Sequence, residues 1–442
     1  MESVSYTQDL TFVDIFAGCG GLSLGLIQAG WKGLFAIEHN IDAYKTLHDN
    51  LVAEDVKQKF IWPDWLPKKA HSVGDILQKY HKNITALEGK VDMIVGGPPC
   101  QGFSNAGRRD PNDPRNRLVE AYLEFVDLIK PKIVLIENVK GITQDFDDAN
   151  GHDEKINYSE RIINSLSEDY HVSSRMIDTS TFGVPQRRQR FFIIAIRLDL
   201  ANYLTGDLFD MIERNRLTFL RSKGIASIPV SSKAAISDLE ISRNGKLPSR
   251  DSRGFEEIAY SGPLTSYQRL MHCKFGTSLA DTRLARHRPH IVARFEKIIE
   301  ICHADGRLNV SLSSELKASL GLRKCAIRVL DPESPSPTIT SMPDDLIHYR
   351  EPRTLTVREN ARLQSFPDWF VFKGKYTTGG ARRKKEVPRF TQVANAVPPL
   401  IAEAIGQVLA QQLLVVIQLV PQKCSVSRRA PQKDLGTLEV PA

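Results

Sequence analysis

Cysteine is scarce and unpaired in this sequence: six residues in 442, at positions 19, 100, 273, 302, 325 and 424, with no CxxC and no histidine at a metal-ligand interval. That pattern excludes a disulfide-stapled scaffold and a dithiol redox pair, and predicts a reduced, cytosolic chain with no structural metal. No unbroken apolar run approaches the roughly 18 residues of a membrane span. The one candidate, 401–420, is interrupted by Glu403, Gln407, Gln411, Gln412 and Gln418, so an amphipathic helix without membrane contact is expected. The opening MESVSYTQDLTFVDIF lacks the basic and apolar regions of a signal sequence. Internal repeats are absent, and neither sign of charge dominates. Lys and Arg number 59 against 52 Asp and Glu, a net +7 that favours a polyanionic partner only mildly.

What is present is enough apolar residue, 41% with 8% aromatic, for a sizeable core and two or more domains. Between Thr11 and Leu198, the runs TFVDI, GLFAI, VDMIV, KIVLI and RFFIIAI read as strands with helices between most of them. This alternation predicts an α/β domain over 1–200, built on a parallel sheet covered on both faces. From 201 the texture changes to mixed helix and loop with breaks such as SIPVSS and DPESPSPTITSMPDD, which predicts a second domain reaching 384. The stretch 423–442 reads as a disordered tail.

Three clusters carry chemistry. Strand TFVDI runs into FAGCGGLSLGL, so Gly18, Gly20 and Gly21 sit where a strand turns into a helix and a backbone can approach a ligand closely. Glu38, about 20 residues on at the next strand end, stands where such sheets hold a ribose hydroxyl; Asp75 is a candidate contact for an adenine amine. The glycines do not spell GxGxxG, which favours an adenosine-bearing cofactor without a pyrophosphate. A tight turn with no ligand is the alternative. Next, VDMIV leads directly into GGPPCQGFS. Pro98 and Pro99 fix two φ angles and aim the Cys100 thiol into the crevice at the strand ends, as a nucleophile needs. A buried inert thiol is the alternative, and the preferred reading for Cys19. Finally, KIVLI ends in Glu137, while Gln186, Arg188 and Arg190 alternate along QRRQR before the last strand and share one face if extended. Singly these are surface groups; together at one sheet edge they form a candidate site.

The ordered motifs DIFAGCGGLS, AIEHN, GDI, GGPPCQGFS, ENV, QRRQR, TVRENARLQSFPDWF and QVANAVPPLIA, spanning Asp14 to Ala402, resemble those of the cytosine-5 DNA methyltransferases. The resemblance implies a Rossmann-like S-adenosylmethionine-dependent methyltransferase domain, completed by a return of 385–422, with a smaller target-recognition domain at 201–384. It implies Cys100 as nucleophile toward cytosine carbon 6. Glu137 would meet ring nitrogen 3 and the exocyclic amine, with Arg188 and Arg190 at the pyrimidine oxygen. The cofactor would lie against Phe16, Gly18, Gly20, Glu38, Asp75, Ile76, Pro99, Asn395 and Val397. Gln101, Ser104 and Gln186 would contact the substrate, a flipped base in double-stranded DNA, and no metal is required. Two departures stand out: His39 replaces a usual aromatic residue, and Ala394 a usual glycine.

The same resemblance implies a monomeric prokaryotic restriction-modification enzyme acting beside a cognate endonuclease. Arg283, Arg286, Arg288, Arg294, Arg323, Lys324 and Arg328 would either read guanine or hold phosphate, and the basic insert at 379–389 either reaches DNA or is solvated. A transfer-RNA methyltransferase of the same fold and a non-catalytic DNA-binding relative are the competing functions.

Overall fold

The computed structural model describes residues 9–56, 59–98, 117–144, 146–147, 155–225, 229–273, 279–322, 326–378, 382 and 386–419. Its central sheet has six strands: β1 (Thr11–Ile15), β2 (Lys32–Ile37), β3 (Met93–Gly96), β4 (Ile133–Asn138), β5 (Tyr170–Asp178) and β6 (Gln189–Arg197), in the order β2-β1-β3-β4-β6-β5. The first four in that order run parallel, while β6 is antiparallel to both of its neighbours. The expected parallel sheet is found, with one strand, β6, reversed for a physical reason. A parallel return needs a crossover of a dozen or more residues, whereas β5 and β6 are joined by a single 3-10 turn and a two-residue strand. Strand β5 was itself illegible: YHVSSRMID lies at the sheet's edge, largely half-buried or exposed, and lacks an apolar pattern. By contrast β3, β4 and nearly all of β6 are continuous buried runs, the signature of strands covered on both faces.

The covering helices on the amino-terminal side are α1 (Gly21–Gln28), α2 (Ile41–Leu51), α3 (Val73–Lys79), α4 (Arg117–Ile129) and α5 (Tyr158–Leu166). Next comes α6 (Leu208–Ser222), which buries Leu208, Phe209, Ile212, Phe219 and Leu220. It packs on β5 and on the final helix, so the sheet's covering continues past residue 200 to about 225. Farther along are α7 (Pro289–Ala304), α8 (Val357–Leu363), α9 (Arg389–Asn395) and α10 (Pro399–Leu419).

Helix α10 returns to α1 at close range. A Cβ added to Gly25 would lie 2.4 Å from the Pro399 carbonyl oxygen, and one on Gly21 2.4 Å from that of Val397. The indole of Trp31 donates to the Gly406 carbonyl at 2.9 Å. Within 389–419 an 18-residue stretch has a mean hydropathy, 1.8, that would suit a membrane crossing, but 61% of that stretch is buried inside the protein. It is a core helix here.

The main apolar cluster extends from the sheet into 230–236 and 330–376, with two smaller clusters around Ile298 and Leu239. Around α8 the interior is ionic. Thr356 and Glu359 form a capping box. Arg362 meets Asp368 at 2.6 Å and Asp238 at 3.2 Å, Arg358 meets Asp281 at 3.3 Å, and Arg353 meets Glu359 at 2.8 Å. TVRENARLQSF is thus a scaffold whose arginines are turned inward.

Candidate active site

Register brings the site together. Ile15 pairs with Ile37 and Gly96, and Gly96 with Ile136, so Phe16, Glu38, Gly97 and Glu137, one step on, form a row along one edge of the sheet. Because β6 runs backwards, the residues at its start reach the same edge. Arg188 and Arg190 are buried there, while Arg187 and Gln189 face outward.

Phe16 bends the chain with φ 67°, and Gly18 and Gly20 follow at 57° and 95°. A Cβ on Gly18 would meet nothing within 4 Å, so the turn opens onto free space. Glu38 holds this turn in shape. Its carboxylate accepts from the Gly18 amide at 3.0 Å and the Asn40 amide at 2.7 Å. His39, whose side chain is 73% exposed, reaches the same carboxylate at 3.2 Å, a contact that raises its pKa. The Glu38 carbonyl accepts from the His71 amide at 2.9 Å, bringing the start of α3 alongside. Asp75 there is half-exposed and bonded to Ser72 and Lys79, while Ile76 is fully buried. This cradle suits an adenosine-bearing cofactor: an open glycine turn, a carboxylate at its rim and an acidic residue at the neighbouring helix start. At the return segment, Val397 is buried, and exposed Asn395 lines a cavity of about 540 Å³ between the Ser341–Asp344 turn and the Lys375–Thr378 loop.

Beneath the turn lies a pair not anticipated from sequence. Asp14, fully buried, accepts from the Ser23 hydroxyl, its other oxygen having no hydrogen-bond partner among the described residues. Burial pushes its pKa up to about 7, against the Ser23 bond and with help from Glu38. The only signal was an aspartate inside an otherwise apolar strand. Cys19 is buried, its thiol 3.6 Å from the Gln392 carbonyl and pushed up by burial to about 12.

Across the row, Glu137 is buried and bound by the Arg190 Nε at 2.8 Å. Burial raises its pKa although Arg190 and Arg188 pull it down. Its neighbour Asn138 donates to the Pro98 carbonyl at 3.0 Å, fixing the place where the next loop departs. Pro99, Cys100, Gln101 and Ser104 lie outside the described residues, as do loop arginines 108, 109 and 115, Arg323, Lys324, positions 383–385 and the stretch 423–442.

Arg188 turns toward the carboxyl-terminal segment, donating to the Ala394 carbonyl at 2.6 Å and that of Ala396 at 3.4 Å. Burial and the Arg190 charge lower its pKa well below the ordinary value, with Glu137 opposing. Gln186 is fully buried. Its amide donates to Gln364 and to the Leu363 carbonyl at 3.3 Å, and accepts from the Ile339 amide at 3.0 Å. In this arrangement Gln186 is a joist between the sheet edge and α8.

A model of the C-5 cytosine-specific DNA methylases matches residues 10–411. The chain belongs to that family. As a cytosine-5 DNA methylase it is an enzyme acting on DNA, and its family and fold imply S-adenosylmethionine as methyl donor. It is 32% identical over 416 residues to the type II methyltransferase M.DdeI of Desulfomicrobium norvegicum, covering 90% of this chain and 88% of that protein. The type II methyltransferase M.AgeI of Thalassovita gelatinovora is 27% identical over 459 residues, 90% of this chain and 98% of that one. Among solved structures, one described as a DNA modification methyltransferase encoded within an Escherichia coli prophage superposes with TM-score 0.61 at 25% identity, over 92% of this chain and 100% of that one. For this methylase the Glu137–Arg190 pair and the Glu38-held turn therefore occupy one edge of a methyltransferase sheet. Among the described residues, no three His, Cys, Asp or Glu side chains gather as metal ligands.

Proposed function

We propose that this protein transfers a methyl group to carbon 5 of a cytosine within a specific duplex sequence, by a covalent mechanism at Cys100, protecting host DNA from a cognate endonuclease. The observation that carries the reading is the juxtaposition at the sheet edge. The segment entering the Cys100 loop is pinned by Asn138 beside a buried Glu137–Arg190 pair, in the same row as the open glycine turn. The division into a catalytic part, 1–200 with 385–422, and a recognition part, 201–384, is part of the same proposal, as are a monomeric state and a cytoplasmic setting.

Phe16, Gly18, Gly20, Glu38, Asp75, Ile76, Pro99, Asn395 and Val397 would hold S-adenosylmethionine. When bound, it supplies a methyl group on a positively charged sulfur that departs as a neutral thioether. Cytosine carbon 5 is too poor a nucleophile to take that methyl unaided. Addition of the Cys100 thiolate to carbon 6 moves an electron pair toward carbon 5. Glu137, its pKa raised by burial, holds a proton at ring nitrogen 3, and Arg190 keeps that carboxyl in place. After transfer, a base removes the carbon 5 proton, the ring double bond reforms and the Cys100 thiolate leaves. Because a paired cytosine is unreachable, the base must swing out of the stack at a cost of a few kcal/mol, with Gln101 and Ser104 contacting the opened duplex.

Cys100→Ser should abolish label transfer from S-adenosylmethionine into DNA while leaving duplex binding intact. A 5-fluorocytosine oligonucleotide bearing the proper site should become bonded to Cys100 in the unaltered protein. Undiminished turnover of the serine variant would sink the covalent mechanism, and label appearing only in transfer RNA would reassign the substrate.

A further inference from the structure

Several arginines between 250 and 389 are neutralised: Arg250, Arg350, Arg353, Arg358, Arg362 and Arg389 each lie within 3.3 Å of a carboxylate. Arg283 is held differently. Its guanidinium sits between two rings, 3.6 Å from the centre of Tyr376 and 4.2 Å from that of Phe255. The other side of Tyr376 carries Arg389 at 4.2 Å, and Phe255 also carries Arg286 at 5.5 Å. The sequence Arg389, Tyr376, Arg283, Phe255, Arg286 is one stacked column, running from the first residue of α9 to the surface, where Arg286 is exposed. Arg389 is paired with Asp251 and Asp281, but for Arg283 and Arg286 stacking fixes the guanidinium without cancelling its charge.

The column ends where a charged stripe begins. Arg288 precedes α7, and at helical spacing His290, Arg294 and Lys297 share one face of it. Glu296 and Glu300 fall on the adjacent face, while Phe295, Ile298 and Cys302 are buried in the small apolar cluster. Among the described residues none of Arg286, Arg288, Arg294 and Lys297 forms an ion pair. From Arg288 to Lys297 the helix rises about 14 Å, at about 1.5 Å per residue. Phosphates recur about every 3.4 Å along the axis per strand, so that length spans about four of them.

We propose that Arg286, Arg288, Arg294 and Lys297 form a track for the phosphate backbone of the duplex, positioning DNA without reading its sequence. This rests on the reading of the protein as a duplex DNA methyltransferase. Arg283 is set apart from the track, its guanidinium held between two rings and its NH1 bonded to Ser252 at 3.3 Å. Base readout needs side chains locked by neighbours, and the stripe beyond Arg286 has no such support; phosphate contacts tolerate that freedom.

The test uses the full-length protein with three variants: a triple Arg286→Ala, Arg288→Ala, Arg294→Ala; the same positions changed to Lys; and Lys90→Ala, at the opposite end of β3, as a control. Binding to a fluorescent duplex is measured between about 50 and 200 mM salt, and methylated sites are mapped separately. Losing three phosphate contacts should flatten the loss of affinity over that range by roughly 40-fold. The lysine variant should behave like the unaltered protein, and so should Lys90→Ala. The sites methylated should not change. An unaltered salt slope in the triple alanine variant, or a changed set of methylated sites, overturns the proposal. Absence of methyl transfer by the unaltered protein would instead count against the functional reading, because the binding slope is measured without catalysis.

Discussion

Around the sheet, the interior is made of unbroken apolar strands, and helices approach so closely that α1 and α10 tolerate only glycine where they touch. Around α8 the interior holds Arg353, Arg358 and Arg362, all with carboxylate partners and almost no exposure, set among apolar residues at the margin of the main cluster. Apolar burial is non-directional and forgiving of partner identity, whereas buried ion pairs stabilise only when every member is in place. The sheet half should therefore respond to volume, and the α8 half to charge.

The largest effect expected from this contrast is at Arg362. Arg362→Met leaves Asp238 and Asp368 buried with their shared cation removed, and should cost about 3–5 kcal/mol in denaturant unfolding. A loss below about 1 kcal/mol would remove the ionic account. A smaller effect tests a buried carboxylate of the sheet half that has no cationic partner among the described residues. Asp14 has a folded pKa near 7, above its ordinary 3.8. The folded state therefore binds the proton more tightly, and stability is greatest at low pH and falls as pH rises toward and through 7. Relative to Asp14→Asn, the unaltered protein should lose about 2–3 kcal/mol between roughly pH 5 and 8. Parallel pH profiles for the two proteins would contradict the burial of this carboxylate. The smallest effect sharpens the packing side: Gly25→Ala drives a methyl against the Pro399 carbonyl and should cost about 1–3 kcal/mol, read as a lowered Tm with an unchanged pH profile.

The same contrast explains what was legible in the sequence. TFVDI, GLFAI, VDMIV, KIVLI and RFFIIAI were readable because strands buried on both faces are written as apolar runs, and Glu38, Glu137 and Arg190 because they fall at the ends of such runs. Strand β5 was not, since an edge strand needs no such run, and the reversal of β6 hides in the shortness of the connection before it. The bonds Gln186 makes were not legible, because its partners Ile339 and Gln364 lie more than 150 residues away in sequence. No local pattern encodes such a pairing. The inward arginines of TVRENARLQSF were equally silent, because an arginine's neighbours, not its type, decide whether it meets carboxylates or solvent.

The contact between Trp31 and Gly406 joins positions 375 residues apart. On a ribosome working at about 5–20 residues per second, α1 emerges roughly 20 to 75 seconds before the helix that covers it. Throughout that interval its apolar face is open to water and to neighbouring nascent chains. Yield of active enzyme should accordingly depend on translation speed and on chaperones that shield the early segment, more than on the stability of the finished protein.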